Sequence, residues 1–358
     1  MHRHWNNPTT KNDSLSFCGA GFMGVYHVGV AACLQKYGCL PNYSSNNAYD
    51  DAVNKMSASS IQKLTGVSAG SLVSAAIAMG VSMDDSMNVL MELSRHARKH
   101  NQVMGCLSPG YSLLDELYRL MKPVVYDALA GGDEELFVRR VRPGNLRVGF
   151  TDVGAFVGAV RASVMSGGAA LGDQSQGGLN GSSNRYIQEG YRYVDEFHTI
   201  DELLCSTMIS SYIPGVTAPQ VFRNNADENS VVKKSLKMLE TSFQLRIRND
   251  NGDVVEYESV KGRRKLNLID GGIVNMFPIF DSNTTIVSIF SGDYGNKNHI
   301  SPSEVIDSNS TLSALSDPIS GYKINLTKFN ADMLRGMILN SSDEEIEQKY
   351  KQGWADAK

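Results

Sequence analysis

The chain has 358 residues, 42% of them hydrophobic and 20% charged, which is enough to bury a sizeable core as one large α/β domain or two smaller ones. A net charge of −4 with no basic run excludes nucleic acid as an expected partner. The five cysteines (Cys18, Cys33, Cys39, Cys106, Cys205) are scattered, odd in number and form no Cys-x-x-Cys pair. Neither a disulfide framework nor a zinc site is expected, and a reducing, cytoplasmic setting fits best.

In chain order, Met1 to Asp13 is polar and has no secretory signal. Leu15 to Cys18 reads as a first strand, Gly19 to Gly24 as a glycine loop, and Val25 to Lys36 as a mostly apolar helix. The uncharged stretches Ser14–Gln35 and Leu64–Met83 are long enough to cross a bilayer. Glycines interrupt both at turn-like spacing, so each reads as strand, turn and buried helix rather than a membrane span. Ser82 caps an amphipathic helix with acids in its first turn and Arg95, Arg98, Lys99 and His100 near its end. Ser112 to Leu120 is expected as a helix stopped by Pro123, and Leu146, Val148 and Phe150 alternate as a strand. Met165 to Asn184, rich in Gly, Ser, Gln and Asn, reads as a disordered insertion. Arg192 to Glu196 resumes as a strand, and Thr199 to Met208 is a helix. Arg223 to Arg264 looks like a second insertion, in which Phe243, Leu245 and Ile247 alternate before a hairpin turn at Asn251-Gly252. Leu266 to Ile269 and Thr285 to Phe290 are strands, Ser308 to Ser316 a loop, and Asp343 to Trp354 a polar helix. This alternation implies a mainly parallel sheet with helices on both faces.

Three motifs carry chemistry. Gly66-Val67-Ser68-Ala69-Gly70 reads as a nucleophile elbow, a strand-to-helix turn that lifts Ser68 above its surroundings. Gly19-Ala20-Gly21-Phe22-Met23-Gly24 follows a strand and opens a helix. That placement suits a dinucleotide pyrophosphate or the oxyanion of a tetrahedral intermediate equally well, so a Rossmann enzyme stands as an alternative. Against it, the second strand ends in the elbow rather than in a ribose-binding acid. Ser68 needs a base. In the order Ser, Asp, His, His299 would complete a triad with Asp270, but an α/β-hydrolase needs more strands before its nucleophile than 67 residues allow. Asp270, at a strand end and followed by Gly271-Gly272, remains as a direct partner. A carboxylate with an ordinary pKa near 4 is a weak base for a hydroxyl, so burial must raise its proton affinity.

Glycine loop, elbow and Asp-Gly-Gly, in that order, resemble the patatin-like phospholipases. Leu15 to Val30 looks more specifically like the adipose triglyceride lipase branch. The likeness continues through Ser94 to Lys99, Asp201 to Leu204, Ile213 to Val216, Phe290 to Gly292 and Lys351 to Trp354. The resemblance implies a three-layer α/β/α fold and a Ser–Asp dyad, with Ser68 as acyl nucleophile and Asp270 as base. It also implies an oxyanion hole within Gly19 to Gly24, formed by the N–H groups of Ala20 and Gly21, and no metal or cofactor. The implied substrates are acyl esters of glycerol, met at a membrane or lipid-droplet surface, with hydrolysis or acyl transfer as the outcome and a possible protein co-activator. A non-catalytic lipid-binding member of the family is the other alternative. The acyl-hydrolase domain is expected at 14–300, interrupted near 165–184 and 223–264, and a loop and helical extension at 301–358. Neither insertion has a counterpart in the family pattern. The family's triglyceride lipases carry a further, partly hydrophobic C-terminal region tied to droplet attachment, which this sequence does not include.

Overall fold

The computed structural model describes residues 13–41, 61–100, 110–165, 189–219, 229–295, 298–303, 314–316, 322–339 and 341–358. The first strand, β1 (Asp13–Phe17), is buried on both faces, as a central parallel strand should be. It lies between β2 (Ile61–Gly66) and β9 (Thr284–Val287), parallel to both. Its serines are satisfied from neighbouring loops: Ser14 Oγ donates to Asp281 Oδ1 at 2.7 Å, and Ser16 Oγ donates to the Pro278 carbonyl. With β3 as Leu146–Asp152, β4 Tyr191–Val194, β5 Arg248–Asn249 and β11 His299–Ile300, the main sheet has the order β11-β9-β1-β2-β3-β4-β5; outside it, β6 (Ser259–Val260) pairs with β7 (Arg263–Arg264), and β10 (Gly292–Asp293) belongs to a small second sheet. The pairs from β11 to β3 are parallel, and β4 and β5 are antiparallel. Helices flank this mainly parallel sheet as the outer layers of the three-layer α/β/α fold.

The strand that matters most for the site leaves this simple path. β8 (Leu268–Asp270) pairs antiparallel with the upper half of β3, Asp270 opposite Phe150, while β2 pairs with the lower half, Gly66 opposite Val148. β2 and β8 therefore approach each other end to end along the same flank of β3. The two-residue step from Val148 to Phe150 corresponds to about 7 Å of strand. A strand from early in the chain and one from late in it thus deliver their C-terminal ends to one place.

Helix α1 (Gly24–Lys36) is buried from Gly24 to Leu34 because it is covered on both sides. The C-terminal helix Asp343–Asp356 crosses it at backbone contact: a Cβ on Gly29 would lie 2.1 Å from the Tyr350 carbonyl oxygen, and one on Gly353 would lie 2.1 Å from that of Tyr26. Glycine at both positions makes the crossing possible. Tyr26 Oη donates to Asp356 Oδ2 at 2.9 Å across the same interface. The uncharged stretches are indeed strand, turn and buried helix, and no helix among the described residues is long and apolar enough to cross a membrane.

Several local expectations need correction. The helix expected to stop at Pro123 runs through it, Leu113–Ala128, capped by Ser112. Pro123 removes one backbone donor, but continuing the helix buries Val125 and brings in Leu129, 1% and 0% exposed, and tertiary burial outweighs the lost bond. The expected insertion at 223–264 is described from residue 229 onward, and that part carries a helix as well as the hairpin turn. It contains the helix Val231–Thr241, which buries Val232 and Leu239. The alternating Phe243, Leu245 and Ile247 form no strand: Leu245 and Ile247 both point into the core, and Phe243 is exposed beneath the Arg264 guanidinium. The turn at Asn251-Gly252 is present, with Gly252 at φ +89°. In the expected loop 308–316, Ala314–Ser316 pairs with Lys323–Asn325, which pairs with Gly292–Asp293. The helices Glu134–Arg140, Val153–Met165 and Lys328–Ile338 had no expected counterpart. The expected insertion near 165–184 lies outside the described residues, apart from Met165 at the end of its helix.

Candidate active site

The elbow is a strained turn held from behind. Ser68 sits at φ 52° and ψ −133°, between β2 and helix α2 (Ala69–Met79). For a residue other than glycine this conformation costs on the order of 1–3 kcal/mol and persists only where the surroundings impose it. They do: the Ser68 N–H donates to the carbonyl oxygen and to Oγ of Ser210, at 3.1 and 3.0 Å. Ser210 Oγ in turn donates to the Gly149 carbonyl of β3 at 2.7 Å. The flanking glycines are needed for clearance. A Cβ on Gly66 would stand 2.3 Å from the Gly70 carbonyl oxygen, and one on Gly70 would stand 2.2 Å from that of Phe17. Ser68 itself is half-buried.

Asp270 arrives from the opposite direction and is 3% exposed. Its N–H donates to the Tyr212 carbonyl at 2.9 Å, its carbonyl accepts the Thr151 hydroxyl at 2.7 Å, and its Oδ1 accepts the Gly272 N–H at 2.7 Å. Oδ2 is buried with no hydrogen-bond partner. Loss of solvent pushes the carboxyl up to about 6, against the smaller opposing effects of the nearby Ser68 hydroxyl and the Gly272 N–H. Ser68 Oγ is thus close enough to be felt by the carboxylate, yet no hydrogen bond of good geometry joins them.

The glycine loop closes the third side. A Cβ on Gly19 would lie 3.7 Å from Ser68 Cβ and 3.8 Å from Gly272 Cα, so this residue sits between the two half-sites. Gly21 has φ +51° and packs against the backbone of helix Lys328–Ile338, where an added Cβ would be 2.2 Å from the Met337 carbonyl oxygen. The Gly19 N–H donates to the Met276 carbonyl at 3.4 Å and the Gly24 N–H to that of Gly21. Among the described residues, the N–H groups of Ala20 and Gly21 donate to no protein acceptor.

From Ser68 an apolar channel of about 880 Å³, including its open mouth, runs between α2 and the helices Met83–His100 and Leu113–Ala128. Leu72, Val73, Ala76 and Met79 form one wall, at helical spacing along a helix about 15 Å long. Leu90 and Leu117 belong to the facing helices.

The predicted Ser68, Asp270, Gly19, Ala20, Gly21, Gly24, Gly66 and Gly70 are therefore brought to one place. His299 is not among them. It lies on β11, three strands from β2, about 14 Å across the sheet, with its ring against Tyr294. Sequence reasoning missed Ser210, Tyr212 and Thr151. They act through bonds to the backbone of Ser68 and Asp270 from a helix end and a strand, and such bonds leave no motif.

A family model described as patatin-like phospholipase matches residues 15–281. The chain is 32% identical over 107 residues to human patatin-like phospholipase domain-containing protein 2, a match covering 30% of this chain and 18% of that protein. It is 27% identical over 122 residues to the Bos taurus protein of the same name, covering 33% and 21%. It is 33% identical over 100 residues to human 1-acylglycerol-3-phosphate O-acyltransferase PNPLA3, covering 28% and 17%. The matched part thus spans about a fifth of these relatives. Likeness to the adipose triglyceride lipase branch is borne out.

Proposed function

From the premise that this chain belongs to the patatin-like phospholipase family, we infer that it is a lipid acyl hydrolase working on glycerol esters through Ser68 and Asp270. The observation that carries the reading is the buried carboxylate of Asp270 beside Ser68, with Oδ2 unpartnered and the carboxyl pushed up to about 6. A base is most useful when its pKa lies near the working pH. Burial brings Asp270 toward that range, and no histidine among the described residues lies in reach.

The geometry is compatible with these steps. Ser68 Oγ attacks the ester carbonyl carbon as its proton passes to Asp270. The oxygen of the tetrahedral intermediate takes the Ala20 and Gly21 N–H groups, which aim at charge that exists only after attack. Gly19 and Gly24 contribute clearance rather than donors. Collapse breaks the ester C–O bond, and Asp270 returns the proton to the departing alcohol. The acyl group, now on Ser68, lies along the apolar channel. Water activated by Asp270 then releases the fatty acid and restores the free serine. An alcohol entering in place of water gives acyl transfer instead. The similarity to a protein named as an O-acyltransferase favours keeping this second outcome.

The catalytic unit is residues 14–300, with 301–358 as an extension that supports the glycine loop through Met337. The site meets its substrate at a membrane or lipid-droplet surface. Ile273, Leu334 and Ile338 are 49%, 52% and 40% exposed, on elements that touch the glycine loop or follow Asp270. A fluorophosphonate probe tests the reading: it labels the wild type and not Ser68→Ala. Absence of labelling in folded wild-type protein overturns it.

A further inference from the structure

Ser211 lies between the two residues that clamp the site, Ser210 on the Ser68 N–H and Tyr212 on the Asp270 N–H. Its position relative to both is therefore fixed. Ser211 also lines the apolar channel that begins at Ser68. Its hydroxyl is buried with no hydrogen-bond partner, and the residue is 5% exposed.

The neighbouring polar groups bond to atoms other than Ser211 Oγ. The carbonyls one turn back, on Thr207 and Met208, already accept the Ser211 N–H at 3.1 and 3.2 Å. The nearby channel hydroxyl, Thr217 Oγ1, accepts the Ile213 N–H at 2.8 Å and donates to the Ser211 carbonyl at 2.9 Å. Ser86, also on the channel wall, donates to the Ser82 carbonyl at 2.9 Å. Unlike the hydroxyls of Ser86 and Thr217 on the same wall, Ser211 Oγ has no partner, and a buried hydroxyl left unpaired is unfavourable.

We propose that Ser211 is a substrate-binding residue whose hydroxyl takes an oxygen of the glyceryl part of the ester other than the scissile one, a free glyceryl hydroxyl or the oxygen of a second glyceryl ester. This rests on the acyl-hydrolase reading and extends it to the leaving group. The acyl chain beyond its carbonyl is hydrocarbon and offers no partner. The carbonyl oxygen is directed to Ala20 and Gly21. The remaining oxygens of a monoacylglycerol are those of its glyceryl part. A serine hydroxyl both donates and accepts, so it suits either kind.

The test compares two esters of the same acid, monooleoylglycerol and p-nitrophenyl oleate, in mixed micelles. An aryl leaving group has no glyceryl oxygen. The ratio of kcat/KM for the glyceryl ester to that for the aryl ester falls about three- to tenfold in Ser211→Ala, the worth of one hydrogen bond, and recovers in Ser211→Thr. Fluorophosphonate labelling of Ser211→Ala establishes that the protein is folded and Ser68 reactive. An unchanged ratio in labelled protein, including equal losses on both esters, overturns the proposal. Hydrolysis of neither ester by the wild type is instead a failure of the acyl-hydrolase reading itself.

Discussion

Two buried polar pairs lie within a few residues of each other at the end of the central strands, and burial treats them oppositely. One is Ser68 with Asp270. The other is Cys18 with His27, whose Nε2 lies 3.1 Å from the Cys18 carbonyl oxygen and 3.6 Å from its sulfur. By residue type the second pair is the more familiar nucleophile and base. Yet loss of solvent pushes the Cys18 thiol up to about 12 and the His27 imidazole down to about 4. Both shifts lead away from neutral pH, so the thiol stays protonated and the imidazole stays neutral. Acting on Asp270, the same desolvation moves a carboxyl from 3.8 to about 6, toward neutral pH. Burial in one core inactivates a thiol–imidazole pair and tunes a carboxylate, because it always disfavours the charged form and the starting pKa decides where that leads.

The sharpest way to break this comparison is to remove the pair held to be active. Ser68→Ala and Asp270→Asn should each lower ester hydrolysis by at least about 10³-fold, the scale on which nucleophile or base removal acts in serine hydrolases. Retention of a tenth of the activity in Asp270→Asn would return the base to another residue. The next effect is on pH. Only ionised Asp270 accepts the serine proton, so kcat/KM should fall about tenfold per pH unit below about 6 and level off above it. A profile that breaks well below pH 5 would mean the carboxylate is solvated when the enzyme works. Stability should run the other way. The raised acid is neutral, and without penalty, at pH below 3.8, and its contribution is lost as pH rises through about 6. At pH 8 Asp270→Asn should therefore unfold at a higher temperature than the wild type, by up to about 3 kcal/mol in stability. Lower stability of Asp270→Asn at that pH would show that the carboxylate is not buried at a cost.

The two pairs also differ in how legible they were. The dyad could be read because its neighbours are glycines required at fixed offsets: Gly66 and Gly70 by backbone contacts, Gly271 by the Gly149 carbonyl 2.4 Å from where its Cβ would stand. Backbone clearance writes itself into sequence as glycine. The parallel sheet was legible from apolar runs joined by turns. That Asp270 enters on an antiparallel strand collinear with β2 was not, because β8 is only three residues long and its direction is set by pairing, not by composition. The channel was invisible for a similar reason. Its walls are ordinary amphipathic helices, and the space between them depends on how the helices pack. Pro123 signals a helix end by local propensity alone, and the burial of Val125 and Leu129 overrides it.

The smallest expected effect concerns the inert pair. Cys18→Ala should change ester hydrolysis by less than about twofold, since a thiol pushed up to about 12 is ionised to on the order of one part in 10⁴ at pH 8 and neither it nor His27 faces the channel. Its cost should appear in stability instead, through the cavity left behind. The native thiol, 0% exposed, should likewise resist iodoacetamide until the protein is unfolded, as read by mass spectrometry of the Cys18 peptide. Rapid alkylation of native Cys18 would show that water reaches this end of the strands. Water there would also reach the neighbouring Asp270, lower its pKa, and remove the difference between the two pairs at its source.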